Sequence, residues 1–144
     1  MKKVFISYAH RDESYKDELK THLKSLERRA KIKIWDDRAI DAGDEWHDEI
    51  MNALEDADII LMLISNYFID SDFIWDKELK RALERHEAKT ARVIPIIIRP
   101  CDWYDLPFGK LQAVPRNGEA ISTWDNPDEA YLFIAQQINR LLTP

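Results

Sequence analysis

One carboxylate, Glu78, follows Trp75 by three residues in a segment of helical period, WDKELKRAL. That spacing places the two side chains on the same side of a helix. The segment comes shortly after Ile59–Ile64, six consecutive apolar residues typical of an interior strand of a parallel sheet. An open α/β sheet holds its ligand chemistry just beyond the carboxyl ends of such strands. The pattern therefore predicts that Glu78 is catalytic.

The polar loops that follow the first four predicted strands should meet above this edge of the sheet. The resulting cleft would be surrounded by residues 7–11 and 35–43, Ser65, Glu78, Trp46 and Trp75. A carboxylate, a serine hydroxyl, cations and aromatic faces together suit a nucleoside-like ligand with a hydroxylated sugar. Aromatic faces also attract a cationic ring, typically by about 0.5–2 kcal/mol.

Cleavage of NAD⁺ at its nicotinamide bond fits this set of groups. The nicotinamide ring is already a cationic leaving group and needs no general acid to protonate it, so one carboxylate can suffice where ordinary glycoside hydrolysis uses two. The carboxylate would stabilise the oxocarbenium-like ribosyl centre, hold the ribose hydroxyls and orient the attacking water or adenine nitrogen. The competing interpretation is structural, with Glu78 as a solvated helix residue, the two tryptophans as core aromatics and Ser65 as a helix cap.

Composition argues against several other classes of function. The formal net charge is −6 and the Lys and Arg residues are scattered, unlike a nucleic-acid surface. The three glycines, Gly43, Gly109 and Gly118, form neither a dinucleotide-binding fingerprint nor a P-loop. The four histidines lie far apart and Cys101 has no partner at ligand spacing, so we expect no metal site and no internal disulfide. The pair Asp36-Asp37 is more typical of capping and solvation than of Mg²⁺ binding.

The elements that must position these groups alternate in the order β-α-β-α-β-α-β-loop-β-α. This order is typical of a parallel sheet with helices on both faces, so we predict a single α/β domain over residues 1–144. Its five-stranded sheet should have the flavodoxin-like order 2-1-3-4-5. Pro95 in the fourth strand predicts an edge or a bulge, and Ala120-Ile121 would form the short fifth strand. Residues 100–118 should form a long surface loop.

Helix ends can also be predicted. Ser14 should cap a helix over residues ~14–29, and Asp125 or Asn126 should cap the last helix, with Pro127 in its first turn. A helix capped by Asp44 should bury Trp46, Ile50, Leu54 and Ala57.

No apolar run approaches the roughly 20 residues of a membrane span. The amino terminus, MKKVFISYAH, lacks the apolar core of an export signal. We therefore expect a cytoplasmic domain with no membrane contact, belonging to a longer protein.

Six segments, in order and over almost the whole chain, are similar to one family. They are the opening VFISYAHRD, the WDD…IDAGDEW stretch, IILMLISNYFIDS, WDKELKRAL, RVIPIIIRPCDW and LPFGKLQAVP…W. No one segment is decisive, but the ordered set is specific. The chain resembles a TIR (Toll/interleukin-1 receptor) domain of the bacterial type, which implies the same flavodoxin-like, five-stranded fold.

The resemblance also implies roles for individual residues. In enzymatically active members a glutamate on the helix after the third strand is the catalytic residue of an NAD⁺ glycohydrolase, and Glu78 matches it. The remaining implied NAD⁺-binding residues are Tyr8, Ala9, His10 and Arg11 of the first loop, Asp36, Gly43 and Trp46 of the loop after the second strand, Ser65 and Trp75. In many members the tryptophan lies one residue further from the glutamate. NAD⁺ is the implied substrate, with no cofactor and no metal.

Members of this kind are usually effectors of bacterial antiphage immunity fused to a sensor domain. Their activity commonly requires assembly into a homo-oligomer or filament through TIR–TIR contacts. In such an assembly the loop of residues 36–46, called the BB loop, completes the site of a neighbouring subunit. The products would be nicotinamide and ADP-ribose or a cyclic isomer. Two alternatives stay open: a TIR interaction module without catalysis, and a nucleoside deoxyribosyltransferase-like enzyme, which uses a related fold and also a glutamate.

Overall fold

A computed structural model describes residues 1–35 and 46–142 of the chain. In this part of the chain four parallel strands form one sheet: β1 (Lys2–Ser7), β2 (Ile32–Ile34), β3 (Ile59–Ile64) and β4 (Arg92–Ile97). Their order across the sheet is β2-β1-β3-β4. The predicted order 2-1-3-4 is therefore confirmed for these strands.

The burial of each strand follows its sequence pattern. All six residues of β3 are buried, as expected for an apolar strand with helices on both faces. In β2 the exposed Lys33 separates two buried isoleucines, which suits a strand at the edge of the sheet. Val4 of β1 pairs with Ile34 on one side and Ile59 on the other, so β1 is interior.

Five α-helices cover the sheet in the described residues: α1 (Glu13–Arg28), α2 (Trp46–Asp56), α3 (Asn66–Asp70), α4 (Lys80–Glu87) and α5 (Pro127–Leu142). Alternate residues of β3 face different helices. Leu61 belongs to an apolar cluster with α1 and α5, whereas Ile60 and Met62 belong to a second cluster with α2 and α4. The two clusters on opposite faces of one sheet confirm the three-layer, flavodoxin-like architecture.

Pro95 lies in β4 without interrupting it. The register between β3 and β4 is continuous, with Met62 opposite Pro95. The carbonyl of Pro95 accepts a hydrogen bond from the N–H of Val114, and the N–H of Ile97 donates to the carbonyl of Val114. The proline therefore turns its nitrogen away from β3, toward the outer side, where a missing N–H leaves no gap in the β3–β4 ladder.

The predicted fifth strand at Ala120-Ile121 is wrong. Ile121–Thr123 forms a 3₁₀ turn instead. Both the N–H and the hydroxyl of Thr123 donate to the carbonyl of Ala120, at 2.9 and 2.7 Å. Such local side-chain bonds offer the backbone an alternative to a sheet ladder. The position beside β4 is filled by a single bridge between Ile96 and Val114 and by the N–H of Ser122, which donates to the carbonyl of Ile98.

Predictions for the helix ends had mixed outcomes. Helix α1 begins at Glu13, so Ser14 lies inside it and Asp12 occupies the capping position. The amide oxygen of Asn126 accepts the N–H of Asp128, and α5 begins at Pro127 as predicted. Asp44 lies outside the described residues.

The segment of residues 100–118 is not a simple surface loop. Its Phe108 is completely buried and meets Phe68 edge-on, with ring centroids 6.2 Å apart. The prediction failed here because one aromatic in a Pro- and Gly-rich segment carries no periodic signal. Of the helices described, none has the length and apolar character to cross a membrane.

Candidate active site

Glu78 lies in a π-helical turn, Ile74–Leu79, that leads directly into α4. In a π-helix the N–H bonds the carbonyl five residues back, so residues four and five positions after Ile74 both return to its face. Ile74, Glu78 and Leu79 are accordingly buried. Ser71 fixes the start of the turn, because its hydroxyl accepts the N–H of Ile74 and its carbonyl accepts the N–H of Trp75. The wide turn brings Glu78 inward beside the core residue Leu79.

The Glu78 carboxyl has one bonded neighbour among the described side chains. The hydroxyl of Ser7, at the carboxyl end of β1, donates to Oε1 of Glu78 at 2.9 Å. Glu78 is 5% exposed and Ser7 is 1% exposed. Burial raises the pKa of the Glu78 carboxyl to about 7, although the bond from Ser7 acts to lower that pKa. A carboxyl that titrates near neutral pH can exchange a proton during a reaction.

Glu78 lines a cavity of about 240 Å³ at the carboxyl edge of the sheet. Four of the predicted binding residues line the same cavity: Tyr8, Ala9, His10 and Trp46. The first three follow β1 and Trp46 begins α2. The structure thus brings residues from distant parts of the sequence around one carboxylate.

Aromatic side chains form much of the cavity wall. Trp46 is 51% exposed, so the prediction that it faces the core is wrong, whereas Ile50, Leu54 and Ala57 of the same set are buried. Phe73 lies close to both rings at the start of α2: its centroid is 5.7 Å from that of Trp46 and 4.2 Å from that of His47, which it stacks on.

The other predicted binding residues have different surroundings. The guanidinium of Arg11 lies 5.2 Å from the ring centroid of Tyr67. The ring of Trp75 meets Phe108 edge-on at 6.3 Å, and Trp75 lines a separate groove along α4. None of Arg11, Ser65 and Trp75 lines the cavity that contains Glu78. Asp36 and Gly43 lie outside the described residues.

Ser65 belongs to a hydrogen-bond network that joins the segments following β1, β3 and β4. Its hydroxyl donates to the carboxylate of Asp12 and accepts the N–H of Phe68, which caps α3. Arg99, after β4, donates to the other oxygen of Asp12 at 2.8 Å. The guanidinium of Arg99 also lies against the ring of Tyr15. The network fixes the end of the first loop, two residues after His10, and so supports one wall of the cavity.

Sequence reasoning missed several residues of the site. Ser7 was placed near the cleft, but no pattern indicated that it bonds Glu78. Phe73 and Ser71 line the cavity, although they lie between Ile59–Ile64 and WDKELKRAL and no sequence pattern indicated a role for them. Lys16 also lines the cavity; it is 3% exposed, 5.1 Å from the ring centroid of Tyr8 and 3.0 Å from the carboxylate of Asp17.

In the described part of the chain, side chains that could bind a metal form one cluster, and its residues do not line the cavity. Glu18, His22 and Asp128 have ligand atoms within 4.8 Å of one another on the surface between α1 and α5. His22 stacks on Tyr131 with ring centroids 4.9 Å apart, and its Nε2 lies 3.2 Å from the Asp128 carboxylate. Partly exposed groups of this kind commonly form ion pairs without a metal.

The fold and the buried glutamate define a flavodoxin-like α/β domain with a cavity at the carboxyl edge of its sheet. A family model of the TIR domain matches residues 4–131, which is most of the chain. The chain therefore belongs to the TIR domain family.

One relative is similar to almost the whole chain. The chain is 48% identical over 138 residues to an uncharacterized protein, y4lF, of Sinorhizobium fredii. That match covers 96% of this chain and 43% of the relative, so the chain spans less than half of the relative's length.

Two solved structures share the fold at low identity. The TIR domain of the Toll-related receptor TRR-2 from Hydra magnipapillata has a TM-score of 0.66 at 23% identity, with 99% of this chain and 98% of that chain covered. The structure of the RPS4 and RRS1 TIR domain heterodimer has a TM-score of 0.55 at 17% identity, with 95% of this chain and 95% of the matched chain covered.

Proposed function

We propose that this TIR domain cleaves NAD⁺ between nicotinamide and ribose, with Glu78 as the catalytic residue. One observation carries the proposal: a buried carboxyl with a pKa of about 7 lines an aromatic-walled cavity at the carboxyl edge of the sheet. A glutamate that served only solubility would lie on the outer face of its helix, as Glu84 does. Burying a carboxyl without a cationic partner disfavours its ionised form, which makes a purely structural role unattractive.

The reaction needs an anion beside the ribosyl carbon. When the C1′–N bond breaks, its electron pair passes to the nicotinamide ring, which becomes neutral, and positive charge develops on the ribosyl centre. The ionised carboxylate of Glu78 stabilises that charge. Water then attacks C1′ and loses a proton to Glu78, which passes it to solvent, so the balance is NAD⁺ plus water to nicotinamide, ADP-ribose and a proton. Attack by an adenine nitrogen gives a cyclic isomer instead.

The cavity suits one end of the dinucleotide. Its volume of about 240 Å³ is below the roughly 300–1,000 Å³ of sites that enclose a whole drug-sized ligand. We assign it to the nicotinamide ribose. Trp46 and Phe73 offer faces to the cationic ring, and Tyr8, Ala9 and His10 contact the sugar and phosphate side. NAD⁺ acts as substrate, and the proposed reaction uses neither a cofactor nor a metal.

We further propose that activity depends on TIR–TIR assembly. Part of the cavity wall lies in loops, at Tyr8, Ala9, Trp35 and Ser71, and loop residues of a site become preorganised when a neighbour fixes them. The RPS4 and RRS1 TIR domains form a heterodimer. The matched relative is more than twice as long as the aligned region, which supports a larger protein, and we propose that the remainder carries a sensor domain. A cytoplasmic antiphage effector, silent until assembled, is the role that we infer.

The test is release of nicotinamide from NAD⁺ by protein that has been concentrated or clustered, followed by chromatography. Glu78→Gln should reduce the release at least ~10³-fold, because it removes the only proposed anion. Glu84→Gln is the matched control, since Glu84 is an exposed glutamate on α4. Equal release by wild type and Glu78→Gln would contradict the assignment of Glu78.

The same experiment separates the alternatives. No release by a sample shown to be assembled would favour an interaction module without catalysis. Exchange of the base of a deoxynucleoside, without nicotinamide release, would favour a deoxyribosyltransferase-like enzyme.

A further inference from the structure

Ser7 lies behind Glu78 as seen from the cavity. It is the last residue of β1, is buried, and is not one of the residues that line the cavity. Its hydroxyl donates to Oε1 of Glu78 across 71 positions of sequence. Within residues 1–35 and 46–142 no other side chain hydrogen-bonds this carboxylate. Oε1 thus accepts a hydrogen bond from the protein, and Oε2 is the carboxylate oxygen without a bond from a described side chain.

We propose that Ser7 is a positioning residue that holds the Glu78 carboxylate with Oε2 directed at the ribosyl centre of a bound nicotinamide nucleotide. This inference rests on the proposed NAD⁺ cleavage and specifies how its anion is oriented.

The scaffold on both sides of the bond is rigid. Ser7 pairs with Met62 in the interior of the sheet, so its backbone position is fixed by β3. Glu78 is held by the π-helical turn, which buries Leu79 beside it. A glutamate side chain loses about 1.5–2 kcal/mol of rotamer freedom when it is ordered, and a hydrogen bond from a strand end selects one rotamer more narrowly than a bond from a loop.

The choice of partner distinguishes this serine from a merely structural one. A serine hydroxyl usually bonds a backbone carbonyl nearby in sequence. Ser7 instead bonds the buried carboxylate that lines the cavity, whereas the carboxylate that Ser65 bonds, Asp12, does not line it. The bond favours the ionised form of Glu78 and so opposes the rise in pKa that burial causes. The other titratable groups described around the cavity are Tyr8, His10, Lys16 and His47. These four residues are unchanged in a Ser7 variant, so a difference from wild type in the Glu78 titration is caused by the loss of the Ser7 hydroxyl.

The experiment compares wild type, Ser7→Ala, Ser7→Thr and Val4→Ala with two readouts. Val4 is a buried residue of the same strand on the opposite face, so Val4→Ala controls for lost stability. The first readout is the NMR titration of the Glu78 carboxyl carbon, which needs no turnover. The second is kcat and KM for NAD⁺ as a function of pH.

In Ser7→Ala we expect the Glu78 titration midpoint to rise by about one pH unit or more, because a donor to the ionised form is lost. We also expect kcat to fall about 10-fold or more with little change in KM, and the acid limb of the pH profile to move with the titration. Ser7→Thr should restore both midpoints, and Val4→Ala should change neither.

An unchanged Glu78 titration in Ser7→Ala would overturn the role of Ser7, even if wild type cleaves NAD⁺. Equal changes in Ser7→Ala and Val4→Ala would also overturn it, since the effect would then follow stability. If the wild-type protein releases no nicotinamide but Ser7→Ala still shifts the Glu78 titration, the proposed function is overturned. The hydrogen bond from Ser7 to Glu78 would then stand, but without its catalytic consequence.

Discussion

Glu78 should make the folded protein less stable as the pH rises, and Glu78→Gln measures the effect. Burial raises the pKa of this carboxyl from 4.5 to about 7 in the folded state. The folded protein therefore holds this proton more tightly than the unfolded chain does. The resulting stability is fully present below about pH 4.5 and is lost as the pH rises to about 7. At about 1.36 kcal/mol for each pKa unit, the loss amounts to about 3 kcal/mol.

The assay is urea denaturation of wild type and Glu78→Gln between about pH 4 and 8.5. Glutamine has the same shape and can still accept the hydroxyl of Ser7, but it does not ionise. The free energy of unfolding of Glu78→Gln minus that of wild type should therefore increase with pH by about 3 kcal/mol and level off near pH 8. For a chain of this length the same change is about 6–12 °C in Tm.

Only the pH dependence of this difference is diagnostic, because the buried amide can add a constant offset. Glu84→Gln, which removes an exposed charge from α4, should give a difference that is nearly independent of pH. If the difference for Glu78→Gln is also flat, Glu78 is not a buried acid with a raised pKa, and the reasoning about its chemistry fails with it.

Two further substitutions test the cavity wall and the hydrogen bonds between α4 and the end of α2. Trp46→Ala should lower turnover of NAD⁺ severalfold while changing Tm by only a few degrees, because half of this side chain is already exposed; a large loss of thermal stability would make Trp46 a core residue instead. Arg85→Met should lower the free energy of unfolding by about 3 kcal/mol, because buried carbonyls lose a charged donor. Arg85 donates to the carbonyls of Leu54 and Ala57 at the end of α2 and to that of Thr90. Urea denaturation measures this loss, and a value under about 1 kcal/mol would contradict the capping role.

The fold was largely predictable because its strongest signals are local. Ile59–Ile64 is typical of an interior strand, and the periodic stripes of α1 and α5 are typical of amphipathic helices. The prediction of a fifth strand was wrong for a local reason as well. A short apolar pair competes poorly with Thr123, whose hydroxyl and N–H both bond the carbonyl of Ala120.

The site was predictable in outline but not in its contacts. The rule that ligands meet the carboxyl ends of parallel strands placed Tyr8, His10 and Glu78 together, and the cavity lining contains all three. No periodicity could indicate that Glu78 bonds Ser7 or that Trp75 packs on Phe108. Those pairings depend on the π-helical turn, which rotates each following side chain relative to an α-helix. The pattern WDKELKRAL is equally typical of a regular α-helix.

The features that break local rules lie around one cavity. Glu78 is a buried acid without a cationic partner in the described chain, its backbone is π-helical, and Trp46 is half exposed at a position of core periodicity. Each of these makes the folded state less stable; ionised Glu78 alone removes about 3 kcal/mol from a total that is typically about 5–15 kcal/mol. Selection retains such features where they serve a ligand or a reaction. A chain that used this surface only for assembly would be more stable with a neutral amide in place of the carboxyl of Glu78, so the buried acid itself favours the enzyme over the interaction module.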